Sequence, residues 1–123
     1  MKIKTLKDGR SFPLEVEEAR TLCSRTIGLM FRSPEEMRGR ALFISPCSAI
    51  HTFFMRFPIT AVFVKRMPSP AGEAGERFTS VRVLKTALPY RFFLPVPDAD
   101  GVLEYPANEA HGIEQGDMLV MLP

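Results

Sequence analysis

The sequence predicts a single, mainly β domain (residues 1–123). We expect a small closed or partly open barrel of six to eight short strands with two short helices. Eleven prolines and eight glycines in 123 residues favour short elements separated by frequent turns. Runs of β-branched and aromatic residues recur along the chain, as is typical of buried strands. Closing such strands into a barrel buries their apolar faces and removes exposed sheet edges.

The predicted strands begin with a hairpin. Lys2–Leu6 and Phe12–Ala19 are joined by Asp8-Gly9-Arg10, because Asp-Gly is favoured in tight hairpin turns. The later predicted strands are Ala41–Ile44, Ile50–Phe54, Ile59–Val64, Arg77–Thr86, Val102–Tyr105 and Met118–Leu122. The segment Met67–Glu76 is predicted to be an exposed loop, and Pro89–Gly101 a proline-rich crossing.

Two segments carry helix signals. Thr21 can cap a helix from about Leu22 to Met30. Ser33-Pro34-Glu35-Glu36-Met37 combines a cap, a proline at the first helical position and acidic residues that favour a helix amino terminus. This second helix is expected to end at Gly39 after one or two turns, and Ala107–His111 is a candidate helical turn.

Charge is unevenly distributed along the chain. From Arg20 to Arg66 there are eight basic and two acidic residues, whereas the chain after Arg91 has six acidic residues and no Lys or Arg. The two halves can face each other within the fold or across a homodimer, or the middle segment can form an anion-attracting surface. Nucleic acid is not an expected partner, because the basic residues are interrupted by apolar ones and offset by the acidic end.

The sequence suggests a cytoplasmic protein. The first residues contain no apolar run typical of a signal peptide, and no stretch approaches the roughly 20 apolar residues that span a bilayer. We therefore expect no membrane partner. Two cysteines, Cys23 and Cys47, do not make a disulfide framework. No cofactor or metal site is expected.

The segment Cys47–Pro58 places polar and reactive side chains in an apolar stretch. Cys47 and His51 would lie about 13 Å apart on a strand, which is too far for a metal or a catalytic pair, so Cys47 is more simply a core residue. His51 can be a core histidine whose ring is satisfied by a backbone carbonyl. Alternatively, His51 and Thr52 form a pocket floor where His51 titrates near neutral pH.

Two arginines flank the end of the first predicted helix. Arg25 and Arg32 are seven residues apart, and guanidinium groups so placed suit a carboxylate or phosphate. Their alternative role is surface pairing with the acidic carboxyl-terminal segment. The full set of candidate ligand-binding residues is Arg25, Arg32, His51, Thr52, Met55 and Thr60. The binding hypothesis assumes that His51 and the two arginines line one water-accessible hollow.

The order of motifs resembles the bacterial domain-of-unknown-function family 192. The most specific pieces are Gly28-Leu29-Met30-Phe31-Arg32 and His51-Thr52-Phe53-Phe54-Met55, followed by Val102-Leu103-Glu104 and Gly112-Ile113. The resemblance runs from about Glu15 to the carboxyl terminus. It implies a compact, mostly β, barrel-like domain and brings no established activity.

Two residues and one loop depart from the pattern that this resemblance implies. Thr60 stands where the family usually has Asp, which removes a carboxylate from any general-base or metal role there. Asn108 replaces a usual glycine, and the loop Met67–Glu76 replaces a tight turn. Many relatives carry export signals, and none is apparent here.

Three function classes follow from these observations. The first is a domain that binds a polar or anionic small molecule. The second is an enzyme that uses His51 with Cys47 or Thr60, although no complete nucleophile–base–orienter set is present. The third is a protein-interaction or dimerisation module that docks through the apolar segment Tyr90-Arg91-Phe92-Phe93-Leu94.

Overall fold

The computed structural model describes residues 2–6, 9, 11–12, 15–19, 29, 32–109 and 111–122. These residues contain seven strands: β1 (Lys2–Thr5), β2 (Glu15–Ala19), β3 (Arg40–Ile44), β4 (Ile59–Met67), β5 (Glu76–Ala87), β6 (Gly101–Pro106) and β7 (Met118–Leu122). All seven pair in one sheet in the order β1-β7-β5-β4-β6-β3-β2. Each neighbouring pair is antiparallel except β2 and β3, which are parallel.

The two edge strands of this sheet approach each other. Lys2 Nζ on β1 lies 3.0 Å from Glu15 Oε2 on β2. Just before β2, the Phe12 amide donates a hydrogen bond to the Ile3 carbonyl (3.0 Å), so this segment also pairs with β1. The sheet is therefore a nearly closed barrel, and the predicted mainly β architecture is confirmed.

The barrel has two hydrophobic cores on opposite faces of the sheet. The inner core takes side chains from all seven strands, as expected for the barrel interior, and includes Phe43, Phe78 and Leu103. The outer core lies on β2 to β6 and includes Phe63. Residues from the connections, such as Met55, cover this outer face. Both faces of the central strands are consequently buried, which explains their nearly continuous apolar runs.

The two predicted helices are not confirmed. In place of the second, residues 34–39 form turns, in which the Arg40 amide donates to the Met37 carbonyl (3.0 Å). The predicted Ser33 cap is present, since its Oγ accepts from the Glu36 amide (3.2 Å). Gly39 has a φ of 69°, which ends the segment before a helical turn can repeat. The first predicted helix, about Leu22 to Met30, lies outside the described residues apart from the buried Leu29.

The predicted strand Ile50–Phe54 is wrong. Only His51 forms a β-bridge, with Phe92, and Phe54 has a φ of 60° that turns the backbone away from an extended path. The predicted strand from Phe12 begins instead at Glu15. The described part of the chain holds no helix with the length and apolar character needed to span a bilayer.

Candidate functional site

A cavity of about 190 Å³ opens at one end of the barrel, where β4 begins and β5 and β6 end. Its lining comes from these strands and from the connection between β6 and β7: Thr60, Val83, Lys85, Thr86, Tyr105, Ala107, His111, Gly112, Ile113 and Glu114. Tyr105 and Ile113 belong to the inner core, and Val83 packs against it. An apolar floor with a few polar groups is the usual form of a small-molecule site.

Two residues with hydroxyl groups, Thr60 and Tyr105, line this cavity from the same face of the sheet, because they are cross-strand partners on β4 and β6. Thr60 Oγ1 donates to the Lys85 carbonyl (2.7 Å). The Tyr105 hydroxyl makes no hydrogen bond with any described residue. Burial raises the pKa of Tyr105 to about 12, so the phenol stays protonated and can donate at neutral pH.

Two of the residues that line the cavity, Lys85 and Glu114, form an ion pair. Lys85 Nζ lies 3.2 Å from Glu114 Oε1, and these side chains are 70% and 64% exposed. Such exposed pairs contribute little free energy, so the Lys85 ammonium can exchange its partner for a bound anion. The Tyr105 and His111 rings, which also line the cavity, pack edge to face with centroids 4.8 Å apart.

A buried carboxyl group lies on the opposite, outer face of β6. Glu104 is 2% exposed, and its cross-strand neighbours are Leu42 on β3 and Ala61 on β4. Its Oε2 atom makes no hydrogen bond with a described residue. Burial in this apolar setting raises the pKa of Glu104 to about 8, so the side chain is a neutral acid at pH 7.

Glu17 lies in the same row across the sheet, because it pairs with Leu42, which in turn pairs with Glu104. Arg32 holds this second carboxylate with two hydrogen bonds, from Nη1 to Oε1 (3.2 Å) and from Nη2 to Oε2 (2.9 Å). Arg32 Nη1 also contacts the sulfur of Met37 (3.5 Å). The guanidinium at position 32 is thus engaged with a carboxylate of the chain itself.

The other predicted site residues occupy two different faces of the sheet. Thr60 lines the barrel-end cavity, whereas Met55 is buried in the outer core. His51 is half-buried, and its Nδ1 accepts a hydrogen bond from the Phe53 amide (3.2 Å). Among the described residues, no hydrogen bond, ion pair or ring contact joins His51 to Arg32. Arg25 lies outside the residues that the structure describes.

Thr52 has a structural role. It is fully buried, and its hydroxyl donates to the Leu88 carbonyl (2.5 Å) and accepts from the Arg91 amide (2.9 Å). Its own amide donates to the Arg91 carbonyl (2.9 Å), and its carbonyl accepts from the Tyr90 amide (2.8 Å). Thr52 therefore fastens the connection before β4 to the connection after β5.

The thiol of Cys47 and the imidazole of His51 have separate partners. Cys47 Sγ donates to the Ala49 carbonyl (3.0 Å), while the described hydrogen bond of His51 is with Phe53. Cys47 is partly exposed and packs against the outer core, in line with its interpretation as a small hydrophobic residue. Cys23 lies outside the described residues.

Sequence reasoning missed Lys85, Tyr105 and Glu104. The first two are ordinary residues at strand ends, and only the barrel topology brings them to one cavity. Glu104 did carry a signal, because an acidic residue inside the apolar run Val102–Tyr105 contradicts a strand buried on both faces.

Comparisons with known proteins agree with this fold. The model of the family described as DUF192, Uncharacterized ACR, matches residues 3–121. A UPF0127 protein of Pyrococcus furiosus is 30% identical over 118 residues, which cover 90% of each chain. A crystal structure of a candidate transcription regulator from Sinorhizobium meliloti has a TM-score of 0.68 at 20% identity, over 96% of this chain and 88% of that one. A Novosphingobium aromaticivorans protein of unknown function has a TM-score of 0.68 at 22% identity, over 96% of this chain and 81% of that one. The predicted resemblance is confirmed, and the chain belongs to the DUF192 family.

Proposed function

We propose that this protein is a small-molecule-binding domain whose ligand is a compact carboxylate with an apolar body. The ligand enters the barrel-end cavity, buries its apolar part against Val83 and Ile113, and directs its carboxylate towards Lys85. The observation that carries the proposal is an open, largely apolar cavity of about 190 Å³ with hydrogen-bond donors in its lining.

The donor set favours an anionic acceptor over a cation. The Tyr105 hydroxyl and the Lys85 ammonium both donate, and neither is held by a buried partner. The Thr60 hydroxyl already donates to the Lys85 carbonyl, so it can offer only lone pairs to a ligand. A carboxylate has two oxygens and accepts from both types of donor.

The size of the cavity limits the ligand. An apolar protein cavity of about 150 Å³ holds benzene, so a molecule of roughly benzoate size suits the present one. Ligands this small bind weakly, and we expect a Kd on the order of 0.1–1 mM.

Isothermal titration calorimetry with three benzene derivatives of similar size tests the proposal. We expect benzoate to bind more tightly than benzyl alcohol, and benzylamine to bind most weakly. Equal binding of all three probes, or no binding at 10 mM, would refute the proposal.

Four variants assign the binding to the cavity. Lys85→Met should weaken benzoate binding about fivefold, because it removes a charge interaction that, for an exposed and solvated ammonium group, contributes about 1 kcal/mol. Glu114→Gln should strengthen it, since it removes the competing carboxylate. Ala107→Leu fills the cavity and should abolish binding. Lys65→Met is the matched control, because Lys65 is exposed on β4 away from the cavity lining, and it should leave the Kd unchanged.

A further inference from the structure

Five large apolar side chains project from two neighbouring connections. We call them the loop patch: Phe54, Leu88, Tyr90, Phe92 and Leu94. Phe92 is 80% exposed and Leu94 is 88% exposed, which is far beyond the partial exposure common for surface apolar residues. An exposed cluster of this kind marks an interaction surface.

The fold holds the loop patch in place. Thr52 fastens the two connections together, and the Phe93 amide donates to the Ile50 carbonyl (3.4 Å). Phe54 and Tyr90 both have a φ of 60°, in the left-handed region that bulky residues rarely adopt. Strained backbone of this kind persists where surrounding contacts fix it, and it is concentrated at functional sites.

The segments that carry the loop patch contain basic residues and no acidic ones. No acidic residue occurs between Glu36 and Glu73 or between Glu76 and Asp98, so residues 45–58 and 88–97, which carry the patch, contain no carboxylate side chain, and Asp98 and Asp100 follow at the end of the second connection. Arg56 and Arg91 are exposed beside the patch. Neither forms an ion pair with a described residue, although Arg91 Nη1 donates to the Pro89 and Tyr90 carbonyls (3.3 and 3.2 Å). The segments that carry the patch thus combine apolar tips with two exposed arginines and contain no carboxylate of their own.

We propose that the loop patch docks the protein on an anionic lipid bilayer, with Phe92 and Leu94 inserted at the level of the headgroups. Apolar side chains that enter the interface and cations that meet anionic headgroups are the two contributions that bind peripheral proteins. The sequence-based expectation of no membrane partner rested on the lack of a spanning segment, which surface docking does not need.

The ring geometry favours lipid over single-stranded nucleic acid. Base stacking requires open aromatic faces. Here the rings pack against each other at steep angles, Phe53 on Phe92 with centroids 4.7 Å apart at 68° and Phe54 on Tyr90 at 5.9 Å and 68°. The most exposed residue, Leu94, is aliphatic and has no face to stack on a base.

Vesicle co-sedimentation tests the proposal. We expect the protein to pellet with vesicles of equal parts phosphatidylglycerol and phosphatidylcholine, and much less with pure phosphatidylcholine. Leu94→Ser and Phe92→Ser should each lower the partition coefficient about tenfold or more, because each removes a side chain buried in the interface. Arg56→Gln and Arg91→Gln should each lower it about fivefold on anionic vesicles only.

Leu6→Ser is the matched control, because Leu6 is 37% exposed after β1 and lies outside the patch. It should leave sedimentation unchanged, and thermal melting should show that all variants are folded. Equal pelleting with and without phosphatidylglycerol, or undiminished pelleting of Leu94→Ser, would overturn the proposal. The proposal would also be overturned if the unmodified protein did not pellet with anionic vesicles and the patch variants instead lost a dimer in light scattering or lost binding to single-stranded polyuridine. These variants lie outside the barrel-end cavity, so benzoate titration tests the proposed function separately.

Discussion

The Thr52 hydroxyl accepts a hydrogen bond from the Arg91 amide at 2.9 Å, and so one side chain joins two connections 39 residues apart in sequence. The same hydroxyl donates to the Leu88 carbonyl. Both connections lie against the outer core, since Ile50 and Phe93 from either side pack there. The position of the loop patch therefore depends on a buried threonine rather than on regular secondary structure.

Thr52→Val should destabilise the protein by about 1–3 kcal/mol. Valine has the same shape but leaves the Leu88 carbonyl and the Arg91 amide without this partner, and unsatisfied buried polar groups carry that cost. Urea denaturation measures the free energy of unfolding. The control is Thr86→Val at an exposed position of β5, for which we expect a change below about 0.5 kcal/mol. Equal effects of the two variants would exclude the fastening role.

Glu104 should make the protein less stable as the pH rises from 5 to 8. Its folded-state pKa, about 8, lies above the ordinary value of 4.5, so its stabilising contribution is complete below pH 4.5. Between the two pKa values the carboxyl group ionises in the unfolded chain but stays protonated in the folded protein. The free energy of unfolding therefore falls by up to about 1.4 kcal/mol per pH unit in this range. Glu104→Gln should remove this slope in urea titrations, while Glu76→Gln, an exposed residue of β5, should keep it. An unchanged slope in Glu104→Gln would contradict the assignment.

Arg32 should control the ionisation of Glu17. The hydrogen bonds from Arg32 are the main cause that holds the pKa of Glu17 below its usual value, and the more distant Arg40 adds a smaller attraction. Arg32→Met should therefore raise the pKa of Glu17 more than Arg40→Met does, as measured by carboxyl carbon NMR titration. The stability gained from this pair is present above pH 4.5 and lost as the pH falls through the lowered pKa. A larger effect of Arg40→Met would show that the pairing is wrong.

Gly75→Ala should cost more stability than Gly72→Ala. Both glycines have a positive φ, 89° and 84°, so each alanine carries a similar backbone strain. A Cβ at position 75 would also lie 2.7 Å from the Met121 carbonyl oxygen, whereas nothing lies within 4 Å of one at position 72. The close contact should add about 1–3 kcal/mol, which thermal or urea unfolding can measure. Equal losses would mean that the turn before β5 does not approach β7 this closely.

The strands were largely predictable from local sequence. The first part of β4, Ile59–Val64, is mostly apolar and rich in β-branched residues, a composition typical of a buried strand. The segment Ile50–Phe54 also consists largely of β-branched and aromatic residues, but it is not a strand. Its Thr52 forms hydrogen bonds with residues 88–91 of the connection after β5 and not with a strand of the sheet. Side-chain contacts of this range leave no periodic pattern in the sequence.

The candidate site was less predictable than the fold. Thr60 was included among the site residues, yet its cavity partners Lys85 and Tyr105 come from strands that only the sheet order makes its neighbours. The sequence predicts that Arg32 binds an external anion or pairs with the acidic carboxyl-terminal segment, whereas its partner in the structure is the Glu17 carboxylate on β2. Sequence spacing locates charged residues along the chain and does not show which charges the fold itself has paired.

An NMR titration of the ¹⁵N-labelled protein with benzoate tests the central claim most directly. Binding in the barrel-end cavity should shift the amide signals of Ala107, Gly112 and Ile113 in a saturable manner, and those of His51 and Phe53 should stay in place. Shifts confined to His51 and Phe53, or no saturable shift at all, would contradict it.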